Sequence, residues 1–303
     1  MNNVYHHRFL PDSNNHLWCR LIDRTHDSYL KIDYERQVNG YAPIVNVPSM
    51  TTVKTCLNSL TGFLMIGVNG SVTYVSNYSN FSDNCIEQLD LPSVKDVIIQ
   101  PNVHRDYIVL LTLEGIVLRG DACPINAVNR DLEVIATDIA FISIEDGMLL
   151  TVDINGKVTW DEFSCQLPSP IRIFGGRVMV LENEGLVIID IDQQHNLAPI
   201  AIPNPLGRIT SLVLDYKLTV MDDQGVIADF NNCYTRVGEP DHNGVYHVIR
   251  GYRLESSRRI AGIIEFQRLV KIDDSVYIED VNGLLHHRKN DTTLNLPFHL
   301  NRH

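Results

Sequence analysis

The sequence lacks every feature that would announce a chemistry. Its apolar runs are no longer than a strand, so none would span a membrane as a helix. Basic charge is scarce: 25 Lys and Arg stand against 37 Asp and Glu, a formal net charge of −12. That balance excludes sequence-independent binding to nucleic acid or to an anionic membrane, both of which need basic surface. There is no His-Glu-x-x-His run, no Walker loop and no dinucleotide glycine fingerprint. The pairs His6-His7 and His286-His287 are strand neighbours that would point to opposite faces, so neither chelates alone. No metal, cofactor or catalytic residue is expected. Six cysteines occur without a Cys-x-x-Cys pair. Cys123, Cys165 and Cys233 fall 8, 9 and 8 residues after recurring glycines, which reads as a small buried apolar side chain in one phase of a repeat. The expectation is reduced thiols in a cytoplasmic or other intracellular compartment. The N-terminal MNNVYHHRFLPDSNN has no apolar core of the secretory kind, which points the same way.

What the chain does have is a repeat. In Gly147–Trp160, GMLLTVDINGKVTW, two aliphatic runs flank an Asn-Gly pair, which predicts a strand, a two-residue turn and a second strand. The outline recurs around Gly70, Gly115, Gly156, Gly185, Gly225 and Gly283, each preceded by Asn, Glu or Gln. Glycine supplies the positive φ that hairpin turns need. Successive turn glycines are 45, 41, 29, 40 and 58 residues apart. Pro48, Pro92, Pro168 and Pro203 precede four of the runs, and proline, which cannot donate to a ladder, belongs between strands. A drifting period of roughly 40 residues made of short strands predicts propeller blades. The fold expected is all-β: one propeller domain over residues 1–303, six or seven blades, seven favoured. Residues 1–46 would form a blade with a degraded turn, and further blades would open near Pro48, Pro92 and Leu132. Pairing of N- and C-terminal strands would close the ring and leave no open edge.

Val94–Asp121, VKDVIIQPNVHRDYIVLLTLEGIVLRGD, resembles a repeat of the regulator-of-chromosome-condensation family, and Ile173–Asp190 and Ile209–Phe230 follow the same outline. The Gly-His pair and Trp-Gly ending of that family are missing, with Arg119-Gly120 as a remnant. WD-repeat and kelch propellers are the rivals, and their own signatures do not recur. The resemblance implies a protein-binding propeller whose partner is a small GTPase, through nucleotide exchange.

Thr151–Trp160 approaches the Asp-box of sialidase-type propellers, which is a turn device rather than a catalytic one. Acidic pairs at Glu145-Asp146, Asp222-Asp223 and Asp273-Asp274 read as solvated turns rather than the two positioned carboxylates of a glycosidase. The strongest site candidate is the segment that makes the last spacing long, with Tyr252, Arg253, Arg258 and Arg259 as partner-binding residues. Loops that exceed a repeat carry function, and Tyr and Arg anchor interfaces. The reading is a non-enzymatic interaction platform. The alternatives are a structural subunit of a viral or other assembly, and a propeller enzyme acting on glycans.

Overall fold

The computed structural model describes residues 9–11, 17–22, 27–32, 44–47, 53–59, 62–67, 69–76, 86–100, 107–121, 132–191, 196–214, 217–237, 247–259, 266–272, 275–280 and 285–287. Every regular element among them is a strand. The first sheet holds β1 (Phe9–Pro11), β2 (Leu17–Ile22), β3 (Asp27–Ile32) and β4 (Ile44–Val47). The second holds β5 (Val53–Ser59), β6 (Gly62–Gly67), β7 (Val72–Ser76) and β8 (Ile86–Leu89). The third holds β9 (Val94–Gln100), β10 (Tyr107–Thr112), β11 (Val117–Asp121) and β12 (Glu133–Ala136). The fourth holds β13 (Ile139–Glu145), β14 (Met148–Asp153), β15 (Lys157–Trp160) and β16 (Phe163–Gln166). The fifth holds β17 (Ile171–Gly175), β18 (Val178–Leu181), β19 (Leu186–Ile191) and β20 (Leu197–Ala201). The sixth holds β21 (Ile209–Leu214), β22 (Lys217–Asp222), β23 (Val226–Val237) and β24 (His247–Arg259). The seventh holds β25 (Phe266–Ile272), β26 (Ser275–Asp280) and β27 (Leu285–His287). Each sheet is an antiparallel meander in chain order. The chain divides into two compact units, 1–168 and 169–303.

Pro92, Pro168 and Pro203 fall between sheets, as expected of residues that cannot donate to a ladder. Pro48 and the Gly283 turn lie outside the described residues. The expected opening near Leu132 is corrected: Glu133–Ala136 is the last strand of the third sheet, and the fourth begins at Ile139. A short strand such as Glu133–Ala136 looks alike at the start or end of a meander, so spacing alone misplaced the boundary.

The recurring glycines join the second and third strands, but the loops are longer than two residues. In the fourth sheet Val152 pairs with Val158, and the Gly156 N–H donates to the Asp153 carbonyl at 3.1 Å. Three residues, Ile154, Asn155 and Gly156, form the loop, and Gly156 alone takes positive φ, 81°. Gly70, Gly115 and Gly225 repeat this with φ of 80°, 83° and 72°. In the fourth and sixth sheets the residue three before the glycine satisfies the turn: the Asp153 carboxylate accepts the N–H of Asn155 and of Lys157, each at 2.8 Å. Asp222 does the same for Gln224 and Val226. The fifth sheet departs from the glycine rule. There Glu184 occupies the left-handed position, φ 63°, and Gly185 follows it. The Glu184 carboxylate meets Arg172 at 2.6 Å and Arg208 at 3.8 Å, which anchors a residue whose backbone is strained.

Two of these turns also tie one sheet to the next. The Gly70 carbonyl accepts the Val94 N–H at 2.8 Å, and the Gly115 carbonyl accepts that of Ile139 at 2.9 Å. A Cβ on Gly70 would lie 2.7 Å from the Val94 nitrogen. A β-bulge near the start of the first strand is a second repeated device, with Lys95, Ala140, Arg172, Thr210 and Gln267 as the extra residues. Lys95 Nζ donates to the Ala140 carbonyl at 2.6 Å and Arg172 Nη1 to the Ile209 carbonyl at 2.5 Å, so a cation on one bulge caps a carbonyl at the bulge of the following sheet.

The second strands β10, β18 and β22 are buried on both faces. Along β10, Ile108 and Leu110 pack with Val94, Val97, Ile66 and Val72, while Val109 and Leu111 pack with Ile139 and Ile142. Alternate side chains thus fill the two flanking interfaces, which is why these strands read as continuous apolar runs. Within the second unit, Leu218, Val220, Ala228 and Phe230 face the fifth sheet, and Met221 and Ile227 face the seventh.

Candidate functional site

The 58-residue spacing from Gly225 to Gly283 holds one long hairpin, β23 and β24, followed by β25 and β26. β23 has 12 residues and β24 has 13, against three to seven in every other strand. They pair from Val226–Arg259 to Val237–His247, with a shift at Asp229/Phe230 that leaves Glu255 as the extra residue. β22 backs only 227–231 of β23, so residues 232–237 and 247–252 run on beyond it. Tyr252 lies on this overhang and is 7% exposed, packed in the cluster that contains Phe230, Val180 and Ile188.

Past Tyr252 the strand changes character. Arg253, Leu254, Glu255, Ser256, Ser257, Arg258 and Arg259 are all exposed, so consecutive positions, which point to opposite faces of a sheet, both meet solvent. Lys217 Nζ meets the Glu255 carboxylate at 2.7 Å. Among the described residues no acidic side chain pairs with Arg253, Arg258 or Arg259. Of the four residues singled out from the sequence, the structure therefore places three arginines on one exposed strand and sends the tyrosine into the core. Arg253 and Arg258 stand about 17 Å apart along the strand, so they form two separated charges rather than one cluster.

Elsewhere several charged groups are matched locally. The fully buried Glu279 carboxylate accepts from Arg268 Nε at 2.7 Å, and His286 Nε2 meets Asp280 at 2.8 Å. Asp222 is held by turn amides and the Gly207 N–H, and Ser143 Oγ donates to Glu145 at 2.6 Å. In the Asp-box-like stretch the carboxylate serves the turn, as its sequence suggested. Among the described residues no three His, Cys, Asp or Glu side chains gather as a metal cage. His6-His7 and Asp273-Asp274 lie outside the described residues. Cys165 is half-buried in β16, and burial pushes its thiol up to about 11. Cys233 sits on β23, so equal spacing from a turn glycine did not mean an equivalent strand: β23 is too long.

One feature escaped sequence reasoning. Leu113 and Ile154, the first loop residues after β10 and β14, are 51% and 67% exposed. The position two before a turn glycine is the signal that locates them.

No protein-family profile and no curated protein sequence matches the chain. Solved structures do. BBS1N in complex with ARL6DN superposes with a TM-score of 0.58 at 11% identity, over 93% of this chain and 92% of that one. Hsv2p from Kluyveromyces lactis gives 0.54 at 11% identity over 96% of both, and BamB from Moraxella catarrhalis 0.53 at 12% over 91% and 80%. These are β-propeller proteins. The chain has their fold. At such identities the propeller likeness carries architecture and nothing finer.

Proposed function

We propose that this propeller is a non-enzymatic platform for another protein, with its docking site on the outer strand of the sixth sheet. The observation that carries the proposal is β24. On an acidic chain, three arginines without an acidic partner among the described residues stand along one strand exposed on both faces. Unmatched arginines at the surface are what a protein interface uses. In this reading residues 1–303 form one ring of seven blades, of the regulator-of-chromosome-condensation type, closed by pairing of N- and C-terminal strands. The seven sheets, six of four strands and one of three among the described residues, support the blade number. Deleting residues 288–303 should then lower Tm by several degrees, and an unchanged Tm would count against closure. A small GTPase is the partner class that the repeat resemblance implies, and a reducing intracellular compartment is the setting.

The test is an affinity capture from lysate of the source cell, comparing wild type with a variant carrying Arg253→Glu, Arg258→Glu and Arg259→Glu. Tyr252 is left intact because truncating it would damage the core. A stoichiometric protein lost in the variant supports platform and site. A protein captured equally by both moves the site elsewhere. Absence of any partner overturns the reading. A nucleotide-release assay decides the GTPase claim, which falls if no small GTPase is accelerated.

A further inference from the structure

We infer that the outer edge of β24 takes an extended acidic segment of the partner as an added strand, an inference that rests on the platform reading above. β24 ends the sixth sheet, and among the described residues no strand pairs with its outer edge. The seven exposed residues Arg253–Arg259 span roughly 23 Å, enough for a peptide of similar length to pair along them. An edge of this kind is normally a hazard, blunted with charge and bulges. Here the bulge lies at Glu255, and Lys217 already matches that carboxylate. What remains is positive at both ends, Arg253 and Arg258-Arg259, with the small Ser256-Ser257 between and Leu254 40% exposed beside them. Against a second copy of β24 the arginines would face arginines, which disfavours self-pairing. Against a strand carrying Asp or Glu they gain ion pairs beside the backbone ladder. The same charges that block one occupant select the other.

The probe is a short capped peptide of alternating Glu and Val, titrated by fluorescence anisotropy against the full chain. Two further acidic peptides carry N-methyl groups on one or the other set of alternate residues. An added strand turns only one set of its N–H groups toward β24, so one methylated peptide should bind like the parent and the other should lose binding. Affinity should drop roughly tenfold or more in the Arg253→Glu, Arg258→Glu, Arg259→Glu variant and fall with added salt. A peptide with Lys in place of Glu should not bind. Equal binding by both methylated peptides overturns strand addition, because charge alone would then suffice. Light scattering that shows a dimer dissolved by the arginine variant also overturns it, since the occupant would be a second copy. If the acidic peptide fails while a lysate protein is still captured by wild type and lost in the variant, this inference falls and the platform stands.

Discussion

Single glycines set the joints of this protein, and their costs of replacement differ for stated reasons. Gly156 has φ 81° but only side-chain atoms of Gln166 and Leu167 near a new Cβ, at 3.4 and 3.7 Å. Gly156→Ala should therefore cost about 1–2 kcal/mol, the left-handed penalty alone. At Gly115 the new Cβ would also press 3.0 Å against the carbonyl oxygen of Ile139, the residue whose N–H closes the junction to the next sheet. Gly115→Ala should unfold at clearly lower denaturant than Gly156→Ala, and Gly70→Ala lower still. Equal midpoints would show that the junctions relax freely. Cys165 gives a second residue-scale prediction. Its thiol lies near 11 instead of 9.0, so thiolate is disfavoured in the folded chain and alkylation near pH 8 should be far slower there than in denaturant. Between those values the unfolded chain sheds the proton first, so this cysteine makes stability fall as pH rises through that window and leaves it unaffected below. A Cys165→Ser variant should lose part of the alkaline decline.

Elements carry the next level. The bulge of a first strand is held by a cation from the sheet before it. Arg172→Met removes the donor to the Ile209 carbonyl and one partner of the strained Glu184, and should cost about 1–3 kcal/mol by denaturant melt. The long hairpin carries a packed residue, Tyr252, and an exposed run, 253–259, on one strand. Tyr252→Ala should cost about 3 kcal/mol or more by opening the core around Phe230. The triple arginine variant should stay within about 0.5 kcal/mol per site of wild type. If both lowered stability alike, the arginines would be structural and the docking site misplaced.

At the scale of the molecule, burial runs in a gradient. Among the described residues the second strands β10, β18 and β22 are closed on both faces, while β12, β16 and residues 253–259 of β24 lie largely open. The net charge of −12 sets what can arrive there. Duplex DNA should show no salt-sensitive binding in a mobility shift, because few counterions would be released. A clear shift would refute the charge argument.

The amino-acid sequence by itself determined the repeat: aliphatic runs for second strands, turn glycines between second and third strands, and prolines between sheets, all local demands of backbone geometry. The tertiary structure alone decided where one sheet ends and the next begins, since Glu133–Ala136 pairs by neighbour and not by composition. It alone showed that Glu184 rather than Gly185 takes the left-handed turn, because two arginines distant in sequence hold it. And it alone separated Tyr252 from the arginines beside it. Adjacent residues carry the same sequence signal, but which one a neighbouring sheet covers depends on packing across the chain.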